Sequence, residues 1–260
     1  GQLVAVSALK NTPAQRAGIQ SGDIILAIGT TSAQTLASEE AVKLIRGPVG
    51  TTITLTLQRK DQAKPIVVTL TRETINIPII DTKKMDGGIF VISLYSFSEN
   101  SVTLFRDALR QFMQSGDTKL VLDLRGNPGG YLDAAVQMAS YFLAVGDVVV
   151  TEDYKGKQEN VAHRSVGYNV FQGNKNFKMA ILVDQGSASA SEILAGALQQ
   201  HNVAKLISTR TFGKGSVQEL VDLGNGAELK VTIARWLTPN GSSISDGGLK
   251  PDIQATTTQE

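Results

Sequence analysis

Residues able to catalyse a reaction concentrate in two short segments of this sequence, residues 187–192 (SASASE) and residues 211–215 (TFGKG). Ser189 lies between a predicted strand and a predicted helix, where unpaired backbone N–H groups and the positive end of the helix dipole stabilise negative charge. That position suits a nucleophile whose attack generates an oxyanion. The pattern Ser189-x-x-Glu192 is also a capping box, in which the serine only starts the helix. On these residues alone, capping is the stronger interpretation.

A nucleophilic serine needs a base, and the sequence favours lysine over histidine for that role. The sequence has two histidines, His163 in a polar stretch and His201 at the polar end of a helix, and both are predicted to be solvated. A lysine serves as a base where burial favours its neutral amine. Glycines on both sides of Lys214 allow close backbone approach, although Gly-Lys-Gly also occurs in ordinary turns. Ser208 and Gly215 break the pattern of a phosphate-binding loop.

Composition excludes several other kinds of chemistry. The absence of cysteine excludes disulfides, thiolate catalysis and cysteine-bound metals, and two histidines do not favour a histidine metal site. We therefore predict no metal and no other cofactor. Lys and Arg total 25 against 24 acidic residues, so no net field attracts nucleic acid or an anionic membrane. No apolar run approaches 18 residues, and no transmembrane segment is expected.

The first 77 residues predict a small β-rich domain with two brief helices. Thr12 is the expected N-cap of the first helix, with Pro13 at its first position and Gly18 as a left-handed C-cap. A second helix is predicted over residues 38–46. Two segments, residues 51–58 and 65–71, alternate apolar and β-branched side chains and are typical of strands.

Residues 78–260 predict an α/β domain, because the order strand, glycine-rich loop, helix occurs twice. The first occurrence is a strand at 120–124, a loop at 125–130 and a helix at 132–143. In the second, a strand at 179–183 and a loop at 184–187 precede a helix that ends near residue 200. Loops at the carboxyl ends of strands commonly hold functional sites. Residues 152–178 have weak periodicity and are predicted to be irregular.

Taken together, these segments resemble the carboxy-terminal processing proteases, also called tail-specific proteases. The serine and the lysine are 25 residues apart and a glutamine follows the lysine by four, as in that family's Ser/Lys/Gln arrangement. Five motifs occur in the family's order and span the whole sequence. They are the PDZ-like motifs within residues 12–47, DLRGNPGG at 123–130, SASEI at 189–193, FGKGSVQ at 212–218, and WLTPNG at 236–241 followed by Pro251-Asp252.

The resemblance implies a serine endopeptidase that cleaves proteins in or near their exposed C-terminal region. It implies an α/β protease core of the crotonase and Clp-protease type following a PDZ domain. Ser189 resembles the family nucleophile, Lys214 its general base, and Gln218 the residue that orients the lysine amine. Implied partners are protein or peptide substrates bound through their C-termini, with no nucleic acid and no metal, and homo-oligomers stay an open alternative. The implied location is extracytoplasmic, in a bacterial cell envelope.

The same resemblance implies an oxyanion hole built from backbone N–H groups. One belongs to Ala190 and the other to Gly129 or Gly130, with Gly130 favoured and the choice left open. Two donors that converge on one oxygen require a residue without a side chain in the way. The glycine pair meets that requirement.

The PDZ domain, residues 1–77, departs from the family pattern. The strand and the carboxylate-binding loop that precede this stretch in the family are not in the sequence, so peptide capture is expected to be impaired. The helix ending at Arg46 keeps the other half of the groove. Arg46 has two interpretations: it satisfies the last helix carbonyls, or it is a regulatory sensor like an arginine of peptide-regulated relatives.

Two other functions compete with proteolysis by a Ser/Lys pair. A non-catalytic PDZ peptide-binding or scaffold protein would leave Ser189 and Lys214 unused. An esterase with a histidine base would need a better-placed histidine and a Gly-x-Ser-x-Gly motif, but serines stand at positions 187 and 191.

Overall fold

The computed structural model describes residues 2–6, 8, 12–34, 36–75, 78–224 and 227–255. These residues form two compact units, Gly1–Pro78 and Ile79–Glu260. The predicted domain boundary at residue 77 lies outside the described residues. The mixed α/β architecture expected from the sequence is confirmed, with a β-rich first unit and an α/β second unit. No helix among the described residues is long and apolar enough to cross a membrane.

The described residues of the first unit form a four-stranded antiparallel sheet with two helices. The strand order is β2-β1-β3-β4, and one face buries the side chains of Ile28, Leu55, Leu57 and Leu70. The elements are α1 (Pro13–Arg16), β1 (Ile24–Ile28), β2 (Thr31–Ser32), α2 (Ser38–Ile45), β3 (Thr52–Gln58) and β4 (Ile66–Thr71).

Local sequence determines where α1 begins and where the chain leaves it. The Thr12 hydroxyl accepts the Gln15 N–H at 3.3 Å, and Pro13 occupies the first turn, where its missing N–H costs nothing. Gly18 has φ 75°, a left-handed conformation that glycine adopts without strain. The predicted cap and stop are therefore both confirmed.

A buried ion pair joins the beginning of β1 to the end of β3. The side chain of Asp23 is 1% exposed, and Nε and Nη2 of Arg59 donate to its two oxygens at 2.8 Å each. Burial by itself raises the pKa of Asp23, but hydrogen bonds from Arg59 and from the Gln20 amide outweigh it and lower that pKa. The pair therefore stabilises the charged carboxylate in the folded state.

Arg72 closes the C-terminus of α2. Its Nε donates to the Ile45 carbonyl at 2.7 Å and its Nη2 to the Leu44 carbonyl at 3.0 Å. The same guanidinium reaches Thr51 and Thr52 through Nη1. The last carbonyls of the helix are thus satisfied by a residue from β4's end, and the side chain of Arg46 is left exposed.

The second unit contains a six-stranded sheet and a separate four-stranded sheet. The six-stranded sheet has the order β14-β11-β10-β7-β6-β5 and is parallel except for β5, and the four-stranded sheet is antiparallel with the order β12-β13-β8-β9. The strands of the two sheets together are β5 (Ile80–Met85), β6 (Ile89–Leu94), β7 (Lys119–Asp123), β8 (Val148–Asp153), β9 (Val161–Arg164), β10 (Lys178–Val183), β11 (Ala204–Ser208), β12 (Ser216–Gly224), β13 (Ala227–Leu237) and β14 (Ile253–Gln254).

Three helices in the described part of the second unit complete its core: α3 (Ser101–Ser115), α4 (Leu132–Ser140) and α5 (Ala190–Gln200). The strand–loop–helix order predicted twice is β7 to α4 and β10 to α5, so both loops lie at the carboxyl ends of neighbouring parallel strands. The prediction of an irregular stretch over residues 152–178 was wrong in part. β9 pairs there with β8, and its short length gave too little periodicity to recognise.

We expect Arg59→Ala to destabilise the first unit by about 3 kcal/mol at neutral pH, because it leaves Asp23 buried and unpaired. A folded pKa that is lowered contributes stability above the unfolded value of about 3.9, and that contribution is lost as the pH falls through the lower folded value. The difference in the free energy of unfolding between the unmodified chain and Arg59→Ala should therefore become smaller in acid.

Thermal unfolding of the full chain between pH 7 and pH 3 measures this difference. Arg110→Ala is the control, because Arg110 and Asp107 form an exposed pair on α3 that is worth only about 0.5 kcal/mol. A difference that stays constant down to pH 3 would contradict the role given to Asp23.

Candidate active site

Ser189 lies at the N-terminus of α5, directly after the loop that follows β10. Its backbone has φ 56° and ψ −117°, a left-handed conformation that is strained for a residue with a side chain. Its neighbours Ala188 and Ala190 are buried. The serine hydroxyl makes no capping hydrogen bond to the helix, so it is not used for the structural role that the capping interpretation gave it.

The carboxylate of Glu192 joins the serine segment to the lysine segment. It is fully buried, at 0% exposure, and accepts four hydrogen bonds from both segments. Oε2 accepts the N–H of Ser189 and the N–H of Lys214 at 2.9 Å each. Oε1 accepts the Thr211 hydroxyl at 2.6 Å and the Gly213 N–H at 2.8 Å. The backbone nitrogens of Ser189 and Lys214 are therefore less than about 6 Å apart.

Burial and hydrogen bonding act in opposite directions on Glu192. Burial raises its pKa, and the hydrogen bonds from Thr211, Gly213, Ser189 and Lys214 lower it, with burial the larger effect. The sequence indicated Glu192 only as half of a capping box. The hydrogen bonds between Glu192 and residues 211–214 could not be predicted from local spacing. They depend on the tertiary arrangement, in which the segment after β11 lies next to the start of α5.

The backbone on both sides of Lys214 packs closely against residues 244–248. A Cβ on Gly213 would lie 2.9 Å from the Gly248 nitrogen, and one on Gly215 would lie 2.4 Å from the Ser245 nitrogen. Both glycines are therefore required by packing, as the sequence suggested. The side chain of Lys214 is nevertheless exposed, where the sequence predicted a buried amine.

The structure brings the backbones of the predicted catalytic residues together, but not their side chains. Among the described residues, no hydrogen bond joins the Lys214 amine to the Ser189 hydroxyl. Gln218 is exposed on β12, after a register shift between Val217 and Gln218, and no hydrogen bond joins it to Lys214 in the described part of the chain. The two side chains are therefore not in the hydrogen-bond contact that direct proton transfer between them needs.

The glycine pair of the loop after β7 packs against Ser189. A Cβ on Gly129 would lie 2.6 Å from the Ala188 carbonyl oxygen and 2.9 Å from the Ser189 Cβ, so only glycine fits. The Gly129 N–H donates to Oδ1 of Asn127 at 2.9 Å. Within the described residues the N–H groups of Gly130 and Ala190 donate to no acceptor. Of the two glycines, Gly130 therefore has the free donor.

Asn127 holds the glycine loop against the serine loop, a role that sequence reasoning missed. It is fully buried, and its Nδ2 donates to the Leu94 carbonyl at 2.7 Å. Its own carbonyl accepts the Ala188 N–H and the Ser191 hydroxyl, each at 3.0 Å. The sequence contained one signal for this role, the place of Asn127 inside the DLRGNPGG motif. The hydrogen-bond partners of Asn127 are distant in sequence, so the motif alone did not reveal them.

Among the described residues, neither histidine forms a hydrogen bond with Ser189. His163 bonds Oε1 of Glu152 at 2.7 Å, and His201 bonds the Val148 carbonyl at 2.8 Å. Their side chains are about three-quarters buried, so the prediction that both are solvated was wrong, although neither is positioned as a base. In the part of the chain that the structure covers, no group of three acidic or histidine residues could hold a metal ion.

We expect Glu192→Gln to slow the reaction of Ser189 with a fluorophosphonate serine probe by at least about tenfold. The amide has one acceptor oxygen and faces two of the four donors with its own NH₂ group, which costs about 3 kcal/mol of stability. Labelling rate and melting temperature measure both effects. Glu40→Gln is the matched control, because Glu40 occupies the same position in α2 and accepts the Ala37 N–H at an exposed site. Unchanged labelling by Glu192→Gln would show that the carboxylate does not position Ser189.

Two family models match this chain. The model for peptidase family S41 matches residues 88–255, and a PDZ domain model matches residues 4–59. The first match covers more than half of the chain and includes every residue of the site described above. The second lies within the first compact unit.

Known proteins similar to this chain include two bacterial relatives and one solved structure. A protein described as "Probable CtpA-like serine protease" from Staphylococcus aureus is 40% identical over 98% of this chain and 50% of its own length. One of the same description from Staphylococcus epidermidis is 36% identical over 98% and 51%. The structure of a photosystem II D1 C-terminal processing protease superimposes with a TM-score of 0.87 at 27% identity, over 98% of this chain and 68% of that one.

The chain spans about half the length of the curated relatives that it matches. Both units are nevertheless covered, because each alignment includes 98% of the chain. The resemblance seen in the sequence is thus confirmed by independent family models, by relatives and by the fold. The chain belongs to peptidase family S41 and carries a PDZ domain in its first unit.

Proposed function

We propose that this protein is a serine endopeptidase that cleaves polypeptides in or near their exposed C-terminal region, with Ser189 as nucleophile and Lys214 as general base. The observation that carries the proposal is the buried Glu192 carboxylate, which accepts the N–H groups of both residues at 2.9 Å. Membership of peptidase family S41 supports the reaction type. C-terminal processing in the name of the similar solved protease supports the substrate class.

In the proposed reaction the Ser189 hydroxyl oxygen attacks the peptide carbonyl carbon, and its proton passes to the neutral amine of Lys214. The N–H groups of Ala190 and Gly130 stabilise the oxyanion that forms. The Lys214 ammonium then protonates the leaving amine, the C–N bond breaks, and an acyl ester remains on Ser189. Water then gives a proton to Lys214 and attacks the ester carbonyl carbon. The bond between that carbon and the serine oxygen breaks, and the Lys214 ammonium passes the proton to the Ser189 oxygen.

The exposed Lys214 residue, with no hydrogen bond from its amine to Ser189, supports a resting form of this catalytic centre. Proton transfer requires a nitrogen-to-oxygen distance of about 3 Å, so the side chain has to turn towards Ser189 before catalysis. Gln218 is then the proposed hydrogen-bond partner that holds the amine in place. A centre that needs rearrangement suits a protease whose PDZ domain regulates access, because an effector can act by favouring one of two states.

A PDZ scaffold without catalytic activity is the alternative, and the family match does not favour it. A scaffold has no use for the strained backbone of Ser189 or for two free N–H donors beside it. Substrate binding through C-termini, self-association and an extracytoplasmic location in a bacterial envelope remain parts of the proposal. Cell fractionation tests the last of these.

Replacing Ser189 or Lys214 with alanine should each reduce hydrolysis of an unstructured protein by at least about 1,000-fold, and the double variant should lose little more, because the two residues act as a unit. Gln218→Ala should slow hydrolysis by a smaller factor and leave measurable activity. Hydrolysis rates with matched melting temperatures measure these effects. Replacement of both His163 and His201 is the control and should leave the catalytic step in place. Substantial turnover by Lys214→Ala would overturn the assignment of the base.

Arg46→Ala should lower activity strongly while the melting temperature is nearly kept, if Arg46 is a sensor of the PDZ domain. The capping interpretation is weakened, because Arg72 already donates to the Leu44 and Ile45 carbonyls. Arg72→Ala is therefore the matched control and should lower the melting temperature. Hydrolysis of an unstructured substrate and thermal unfolding separate the two effects. Unchanged activity of Arg46→Ala would remove Arg46 from the regulatory proposal.

A further inference from the structure

A polar cleft of about 300 Å³ lies on the antiparallel sheet of the second unit, outside the catalytic residues. It opens between the turn after β8, the strand β13 and the segment that follows β13. The walls include Lys155, Lys157, Ser216, Arg235, Ser245 and Asp246.

The floor of this cleft includes an open strand edge. β8 pairs with β13 at only three positions, residues 235–237, and the chain then turns away at Tyr154. Thr232 and Ala234 of β13 pair with β12 on one side, with Ile233 at a register shift between them, and no strand among the described residues pairs with residues 232–234 on the other side. An open edge of this kind can accept an extended peptide as an additional strand.

The cleft carries more positive than negative charge. Lys155, Lys157 and Arg235 line it together with the carboxylate of Asp246, and the charge of Arg235 is offset by its ion pair with Asp153. The Nε of Arg235 donates to Asp153 at 2.7 Å, and within the described residues its other two guanidinium nitrogens make no hydrogen bond. No ion pair holds the amines of Lys155 or Lys157 in the described part of the chain. Three cationic groups therefore have donors left for an anionic ligand.

Backbone contacts connect the cleft to the catalytic lysine. Ser216, which lines the cleft, follows Lys214 by two residues. The Trp236 N–H donates to the Gly215 carbonyl at 2.7 Å, so β13 is fixed to the lysine segment. A Cβ on Gly215 would lie 2.4 Å from the nitrogen of Ser245, another wall residue. A polypeptide in the cleft would thus lie beside the segment that carries the proposed base.

We infer that this cleft binds an acidic segment of the substrate polypeptide, extended along residues 232–234 of β13 with its carboxylates at Lys155, Lys157 and Arg235. The inference rests on the proposed peptidase function and adds to it a preference for acidic sequence next to the cleavage site. Charge complementarity of this kind selects substrates and accelerates their association more than it raises affinity.

Binding is measured first, without catalysis, on the full chain carrying Ser189→Ala. The probe is a fluorescent unstructured peptide that contains several Glu residues, paired with a peptide in which every Glu is Gln. We expect the acidic peptide to bind more tightly, and Lys155→Ala with Lys157→Ala to weaken it about tenfold. The Gln peptide should be affected little. Lys175→Ala with Lys178→Ala is the control, since these exposed lysines lie before and at the start of β10, at the end of that strand opposite the catalytic loop.

Two outcomes of the binding experiment would overturn the inference: equal affinity for the two peptides, or equal weakening by the two lysine pairs. Inorganic phosphate is tested as a competitor at constant ionic strength. If phosphate binds as tightly as the acidic peptide, the cleft is only a site for free anions, and the inference is wrong.

Hydrolysis of the same peptide pair by the catalytically intact chain separates this inference from the proposed function. Preference for the acidic peptide in kcat/KM, lost in the Lys155/Lys157 double variant, supports both. Turnover without such a preference overturns the inference and leaves the peptidase proposal. Lys-dependent binding without any turnover would overturn the peptidase function, while the cleft would remain a site for acidic peptides.

Discussion

The buried carboxylate of Glu192 is the interaction on which the rest of this site depends. Four donors from two segments that are distant in sequence meet on two oxygens, with no cation among them. A carboxylate removed from water needs such donors to offset the cost of its burial, so the contacts are mutually dependent. Losing one segment would leave the carboxylate poorly solvated, and this penalty keeps the serine and lysine backbones together even where their side chains do not touch.

Ser189 illustrates how one position can satisfy two sequence patterns. Its spacing to Glu192 is that of a capping box, and Glu192 does accept the Ser189 N–H. The serine hydroxyl, however, makes no capping bond, and the backbone is strained. Strain at such a residue persists only where surrounding contacts over-determine it, here the Asn127 and Glu192 hydrogen bonds. The helix start is therefore secured mainly by the glutamate, and the hydroxyl remains available.

Sequence reasoning predicted α1 and the strands β3, β4, β7 and β10 because local rules set them: Thr12, Pro13 and Gly18 define α1, and alternating or apolar runs define these strands. It predicted Ser189 and the glycines beside Lys214 through the same kind of local pattern, together with the family resemblance. It did not predict the exposure of Lys214, the roles of Asn127 and Arg72, or the pairing of β9. Each of these depends on partners many residues away, and single-sequence periodicity carries no information about such contacts.

The strands that follow the lysine segment are less buried than the helix that begins at Ser189, so the two regions differ in local stability. The serine half lies on α5, whose residues 190–198 are all buried, whereas the lysine segment leads into β12 and β13, where residues 221–224 and 228–232 are exposed. A segment with few buried contacts opens at a lower free-energy cost than the core. Hydrogen exchange should therefore be slow in α5 and fast in the two strands. On warming, the exposed parts of β12 and β13 would open before the lysine segment that Glu192 holds, so local unfolding would begin away from the site.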